Sequence, residues 1–138
     1  MSNQVQCSDL TDAFEAHEID NSTFRHAEHV QVAFDLLNKY DFIDAAATYA
    51  KGIRTLATKA GAPQKFNLTI TYAFMSLIAE RMATNPKSEF NEFIKQNPDL
   101  MSKTVLEKWY ANDRLHSNVA RSIFLMPTGM GTGLDNVC

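Results

Sequence analysis

The sequence predicts an all-α protein that folds as a single compact bundle of six to seven helices. Apolar residues recur at the three- and four-residue spacing of helices, and no segment alternates with the period of two that is typical of half-buried strands. Capping residues and prolines separate the apolar segments at short intervals. With 138 residues, 45% of them hydrophobic, the chain is long enough for one core and short for two. We therefore expect one helical domain over residues 1–127 and a flexible tail over residues 128–138.

The charge and the ends of the chain disfavour several classes of partner. The formal net charge is -3 and the 13 Lys and Arg residues are scattered, whereas nucleic-acid binding depends on clustered basic side chains. No segment approaches the ~20 apolar residues of a membrane span, and the first residues lack a secretory signal pattern. Cys7 and Cys138 have no paired spacing and are interpreted as free thiols. We expect a cytoplasmic protein that binds neither nucleic acid nor a membrane, with self-association left open.

Three helices are predicted in the first part of the chain. Ser8 is placed to cap a short helix over residues 9–17, and a polar stretch then separates it from a second helix over residues 24–40. Asp41 is predicted to cap the third helix, which Gly61 should end. The second and third helices follow each other almost without a loop, so we expect them to pack as neighbours.

The segment over residues 67–83 is the most hydrophobic in the chain, and its apolar residues spread over more than half of the helical circumference. This width is typical of a helix that packs on several sides, so we predict that it lies at the centre of the bundle. Thr69, Ser76 and Glu80 share the remaining arc and are expected to face solvent.

The last part of the chain is predicted to hold three further helices. Pro86 should stop the central helix, and Ser88 should begin a short one. Pro98 is placed at the first position of the next helix. The final helix is predicted over residues 112–126 and is ended by Pro127. Its expected inner stripe consists of Leu115, Val119 and Ile123.

Two histidines, His26 and His29, fall on the apolar face of the second helix. Residues three apart on a helix are neighbours, with Cβ atoms ~5–6 Å apart, so the two imidazoles can meet a common ligand, water or metal ion. Histidine titrates near neutrality, which makes both residues candidate general acids or bases. The structural alternative is a core histidine with one ring nitrogen bonded to a carbonyl.

Asn67 and Thr71 lie one turn apart within the apolar arc of the central helix. A buried polar group without a hydrogen bond costs ~1–3 kcal/mol, so each requires a partner. One interpretation is that both orient a bound ligand. The other is local: Asn67 caps its helix, and Thr71 bonds a carbonyl one turn back.

His116 is predicted on the inner arc of the last helix, beside Val119 and Ile123. Inward polar residues thus occur on three helices, which favours their convergence on one cavity, because natural sequences break the apolar-inside rule mainly at functional sites. Arg121 is placed at the edge of this cavity, where a guanidinium can bind an anionic group. An exposed arginine is the simpler interpretation of the same residue.

Three short motifs carry a resemblance to a known family. They are Phe24-x-His26-x-x-His29-Val30, Phe66-Asn67-Leu68-Thr69-Ile70-Thr71 and Ser117-x-x-Ala120-Arg121-x-x-Phe124-x-x-Pro127. Together they resemble the landmarks of a small bacterial all-helical family with no assigned activity. The resemblance implies candidate positions rather than a reaction. It also implies that histidine usually stands at the position of Asn67, which disfavours a three-histidine metal site here.

Three classes of function follow. The first is a protein that binds a small molecule between its helices, with or without acid–base catalysis by His26 or His29. The second is a metal-dependent enzyme whose ligands are His26, His29 and His116, with a carboxylate from Glu15, Glu18 or Glu80. The third is a helical protein–protein interaction module whose inward polar residues are only structural. We expect the first class and no tightly bound metal, and no cofactor is indicated.

Overall fold

The computed structural model describes residues 9–84 and 89–128. Within these ranges the chain forms seven α-helices and no strand, which confirms the predicted all-α class. The α-helices are α1 (Asp9–Glu15), α2 (His26–Lys39), α3 (Phe42–Lys59), α4 (Leu68–Thr84), α5 (Phe90–Gln96), α6 (Asn112–Leu115) and α7 (Asn118–Ser122). Short 3-10 helices lie at Asn21–Thr23, Pro63–Lys65, Pro98–Met101 and Val105–Lys108.

Helix α4 packs against α2, α3 and α7, as its wide apolar arc predicts. Helix α2 is equally enclosed, since it contacts α1, α3, α4 and the 3-10 helix Pro98–Met101. Both helices therefore contribute to the centre of the core, where removal of each large apolar side chain from water contributes roughly 1.5–3 kcal/mol. The largest completely buried apolar side chains are Phe14, Phe93, Leu36, Met75, Ile78 and Leu100.

Local chemistry sets the ends of α3, as predicted. The Asp41 carboxylate accepts a hydrogen bond from the backbone N–H of Asp44 at 2.9 Å and so caps the first turn. Gly61 has a φ of 76°, a conformation that lets the chain leave the helix without a Cβ clash. Gly52, inside α3, allows close packing by α1, since a Cβ there would lie 2.3 Å from the Phe14 ring.

The chain after residue 97 differs from the prediction. The expected helix from Pro98 is instead two short 3-10 helices. The expected final helix is broken in two, because the Ser117 hydroxyl accepts a hydrogen bond from the Ala120 N–H and starts α7 anew. The register of the predicted inner stripe is thereby lost. Leu115 is buried as expected, but Val119 and Ile123 are exposed.

Thr69 also differs from its predicted position, because it is completely buried rather than facing solvent. Residues 123–125 lie over this side of α4 and cover it, whereas Ser76 and Glu80 are exposed as expected. The first helix ends at Glu15, two residues earlier than predicted. The predictions for Ser8, Pro86, Ser88, Cys7, Cys138 and residues 129–138 concern positions outside the described residues.

An ionic cluster connects α4 with the two late 3-10 helices. The Arg81 guanidinium donates two hydrogen bonds of 2.9 Å to Asp99, and the Lys108 ammonium lies 2.7 Å from the same carboxylate. Bonds from Arg81, reinforced by Lys108, hold the pKa of Asp99 well below its usual range. Among the helices that the structure describes, none is sufficiently long and apolar to cross a membrane.

Candidate functional site

His26 lies at the start of α2 and is half-buried. Its Nε2 atom is 2.9 Å from the backbone oxygen of Leu100, and its ring centroid is 5.6 Å from that of Phe74. Because a carbonyl oxygen only accepts, Nε2 carries the hydrogen in this bond. The contact is the structural alternative that the sequence left open for His26. Its Nδ1 atom makes no hydrogen bond with the described part of the chain.

His29, one turn further along α2, lies at the edge of an aromatic cluster formed by Phe14, Phe24, His29 and Tyr49. The Tyr49 hydroxyl is 3.5 Å from His29 Nδ1, and the Phe24 ring is 4.5 Å from the imidazole. Phe14 stacks on both Phe24 and Tyr49, with centroids 5.8 and 5.9 Å apart. Among residues 9–84 and 89–128, the imidazole therefore has apolar neighbours and one hydrogen bond, through Nδ1.

The pKa of His29 is lowered to about 4, mainly by burial and in smaller part by the nearby His26, while Glu28 opposes the change. Burial also raises the pKa of the Tyr49 hydroxyl. At neutral pH both groups are uncharged. The Tyr49 hydroxyl donates to Nδ1 in one tautomer of His29 and accepts from the Nδ1–H in the other. A base with so low a pKa accepts protons weakly at neutral pH, which favours hydrogen bonding over proton transfer as its chemistry.

Asn67 and Thr71 bond to the protein's own backbone. The Asn67 amide nitrogen donates to the Leu115 oxygen at 2.8 Å, and its side-chain oxygen accepts from the Ile70 N–H at 2.9 Å. The Thr71 hydroxyl donates to the Asn67 oxygen at 2.7 Å, one turn back. These are the capping and back-bonding contacts of the local interpretation. They satisfy both buried side chains without a ligand.

His116 is exposed, so its predicted place on an inner arc is wrong. The residue directly follows α6, and the break in the predicted helix removes it from the inner arc. Arg121 is half-buried, and its guanidinium donates to the His116 backbone oxygen at 3.3 Å and to the Asn118 side chain. Its two contacts therefore lie within the short stretch around α7.

The six predicted site residues thus separate into groups. His26 and His29 share one face of α2 and bond Leu100 and Tyr49. Asn67 and Thr71 form a second, backbone-directed group that reaches Leu115. No hydrogen bond between described residues connects the histidine pair with this group. Within residues 9–84 and 89–128, no three His, Cys, Asp or Glu side chains are placed to hold a metal ion together.

A different part of the molecule has a more unusual arrangement, the C-terminal segment over residues 123–128. The Thr69 hydroxyl donates to the Ile123 oxygen at 2.7 Å and accepts from the Leu125 N–H at 3.0 Å. The Tyr110 hydroxyl donates to the Leu125 oxygen at 2.9 Å. Two side chains from distant positions therefore fix the backbone on both sides of Phe124.

Further bonds hold the end of this segment. Arg114 donates through Nε and Nη2 to the Met126 oxygen at 3.2 and 2.9 Å. Thr128 donates to the Trp109 oxygen through its N–H at 3.0 Å and through its hydroxyl at 3.2 Å. The segment has no regular secondary structure, yet its backbone is bound at Ile123, Leu125, Met126 and Thr128.

Apolar side chains on and beside the segment face solvent. The exposed fraction is 53% for Val119, 52% for Ile123, 43% for Phe124 and 67% for Met126. We refer to these four side chains as the apolar surface. A groove of about 350 Å³ shares Val119 with it. The groove is lined by Asp113, Arg114, Ser117, Val119 and Leu125.

Comparison of the chain with protein-family models, with curated proteins and with solved structures gives no match.

Sequence reasoning missed Tyr49, Thr69 and the C-terminal segment as features of interest. Tyr49 could not be identified because its place in an apolar stripe does not predict that its hydroxyl contacts a histidine of another helix. A signal for the segment was present, since four consecutive apolar residues over 123–126 cannot all occupy one face of a helix. At least some of them had to be exposed or to leave the helix.

Proposed function

We propose that this protein is a helical protein-interaction module and that it binds its partner through the apolar surface. The observation that carries the proposal is the arrangement of residues 123–126. Their backbone is bonded to Thr69, Tyr110 and Arg114, while Ile123, Phe124 and Met126 are left exposed. Contiguous apolar groups on the surface of a soluble protein mark interaction sites more often than single exposed residues do.

The fixed backbone supports this function energetically. A free chain end must lose conformational freedom when it binds, at a cost of roughly 1–2 kcal/mol for each backbone residue that becomes ordered. In the C-terminal segment the side-chain bonds have already ordered the backbone. Less of the favourable free energy of apolar burial is therefore lost to the entropy cost of ordering the chain. A large apolar side chain that becomes fully buried contributes roughly 1.5–3 kcal/mol. Phe124 and Met126 are the expected main contributors.

A photo-crosslinking amino acid at position 126 tests the proposal in cells that express the full chain. We expect a discrete covalent adduct from position 126 and none from the control position Lys51, which is exposed on α3. The second substitution Phe124→Asp should abolish the adduct, because a carboxylate cannot enter an apolar contact without desolvation. The absence of an adduct at 126, or equal adducts at 126 and 51, would contradict the proposal.

The His26–His29 face supports a second function, recognition of a small molecule. The specific observation is an uncharged His29 bonded to Tyr49, next to a His26 whose Nδ1 has no partner in the described chain. The uncharged His29 can exchange hydrogen bonds with a polar ligand without the desolvation of a full charge, and His26 Nδ1 offers a further hydrogen-bonding atom beside it.

A screen of fragment compounds by thermal shift tests this second function. A compound that binds here should raise the melting temperature of the natural chain but not of the double variant His29→Leu, Tyr49→Phe, which removes both partners of the bond. If every active compound stabilises both proteins equally, the histidine face is not the binding site.

A further inference from the structure

We infer that the partner bound by the apolar surface is a second copy of this chain, joined two-fold through Phe124 of each C-terminal segment. This inference depends on the proposed function and identifies the partner of the same surface. Two observations carry it: the hydrogen-bonding groups left open on the segment, and the charges that line the adjacent groove.

The open groups belong to the Phe124 backbone. The N–H and C=O of Leu125 are directed inward, to Thr69 and Tyr110. The Ile123 C=O and the Leu125 N–H both point at the Thr69 hydroxyl, and in a trans peptide the C=O and the N–H point in opposite directions. The N–H and C=O of Phe124 accordingly face away from Thr69 and Tyr110. Neither group bonds any described residue.

A second copy satisfies this donor and acceptor together. Two residues that lie directly opposite in an antiparallel pair exchange both N–H···O bonds. When the two residues are the same position in two copies, the pair lies on a two-fold axis, which is the commonest symmetry of oligomers. Phe124 can therefore pair with Phe124 of a second copy. The same approach buries the exposed side chains beside it.

The groove carries an acidic and a basic side chain, so two copies of it can meet with opposite charges in contact. Asp113 and Arg114 line the groove next to Val119, so one surface presents both signs. Asp113 is exposed and forms no ion pair within the described chain. Under two-fold symmetry, Asp113 of one copy can approach Arg114 of the other, and this happens twice. A partner of a single charge sign would be repelled at one of the two residues.

Sedimentation velocity of the purified full chain over a wide concentration range tests the inference. We expect a reversible monomer–dimer equilibrium, together with hydrogen-exchange protection of the Phe124 amide that increases with protein concentration. A chain that stays monomeric throughout, or a dimer in which the Phe124 amide exchanges freely, would overturn it.

Two variants and a control locate the interface. Phe124→Pro removes the backbone N–H that donates across the pair, so the dimer should be lost. Ile123 already has the extended conformation that a residue before proline requires. Asp113→Arg keeps the segment intact and should raise the dimer Kd at least about tenfold through like charge against Arg114. Ile43→Ser removes another exposed apolar side chain and should leave the Kd unchanged. A dimer weakened by Ile43→Ser but not by Asp113→Arg would place the interface elsewhere and overturn the inference.

The crosslinking experiment separates this inference from the proposed function. An adduct at position 126 whose mass is twice that of the chain supports both. An adduct of another mass with a monomeric purified chain overturns the second copy as partner but retains the interaction surface. No adduct at position 126 overturns both.

Discussion

The histidine face of α2 and the C-terminal segment place polar and apolar groups in opposite ways. On the histidine side, polar side chains lie inward, and His26 and His29 bond Leu100 and Tyr49. In the C-terminal segment, polar ties fix the backbone from within while apolar side chains lie outward. On the histidine side each imidazole already bonds one group of the protein, whereas the C-terminal segment leaves apolar area in contact with water.

The two regions differ in how far the protein's own contacts account for them. A buried polar group is costly alone but is fully explained once it has a hydrogen bond, so its presence does not require a ligand. A group of large exposed apolar side chains has no comparable internal explanation. The sequence pattern directed attention to the first kind of feature. The structure gives more weight to the second.

Loss of the core contact beneath His26 should have the largest effect. Phe74→Ala removes a ring that is 6% exposed and lies beside the imidazole, and we expect a loss of ~3–5 kcal/mol in the free energy of unfolding. Chemical denaturation monitored by circular dichroism measures it. A loss well below this range would show that the histidine side of the core is loosely packed, and the contrast between the two regions would weaken.

The pH dependence of stability should report His29. Its pKa is 6.5 when unfolded and about 4 when folded, so the unfolded chain binds the proton more tightly. Stability contributed by the uncharged imidazole is present above pH 6.5 and is lost as the pH falls toward 4, by up to roughly 3 kcal/mol. Denaturation midpoints across this window measure the effect. The His29→Leu, Tyr49→Phe variant should lose this pH dependence and His116→Ala should keep it, so the reverse pattern would refute the assignment.

Thr69→Val should release the C-terminal segment. The substitution keeps the shape of the side chain but leaves the Ile123 oxygen and the Leu125 N–H without their partner, at a cost of ~1–3 kcal/mol. Hydrogen exchange at the Leu125 amide should become faster. Thr58→Val, which removes only a bond to the Arg54 oxygen in its own helix, is the matched control. Unchanged protection of Leu125 in Thr69→Val would show that this hydroxyl does not hold the segment.

His116→Ala should have the smallest effect. The side chain is exposed, and substitutions at such positions usually change stability by less than about 0.5 kcal/mol. Thermal unfolding of the variant measures this directly. A marked destabilisation would indicate that the imidazole has the buried role that the sequence pattern predicted.

The sequence pattern was most successful where local chemistry decides the structure. The Asp41 cap, the end of α3 at Gly61 and the breadth of α4 all depend on residues that lie close together in the chain. The prediction failed around residues 112–126, where Ser117 starts a new helix and Thr69 binds the chain from 54 positions away. Hydropathy periodicity does not contain this long-range bond, so Val119, Ile123 and His116 were assigned to a helix face that does not exist.

The absence of long-range contacts from the sequence pattern also explains why the candidate site was only partly predicted. His26 and His29 could be placed on one face of α2 because a helix fixes their separation. Their partners could not be inferred, since Leu100 and Tyr49 come from other elements. Convergence of His116 with them required a continuous final helix, and that requirement was not met.

The bonds from Thr69 to the C-terminal segment also concern the biosynthesis of the protein. During synthesis Thr69 leaves the ribosome well before Ile123 and Leu125, which lie 54 and 56 residues later. The backbone that carries Phe124 can therefore acquire its shape only after the preceding helices exist. A partner that recognises this shape would bind only chains in which α4 and the C-terminal segment have already folded together.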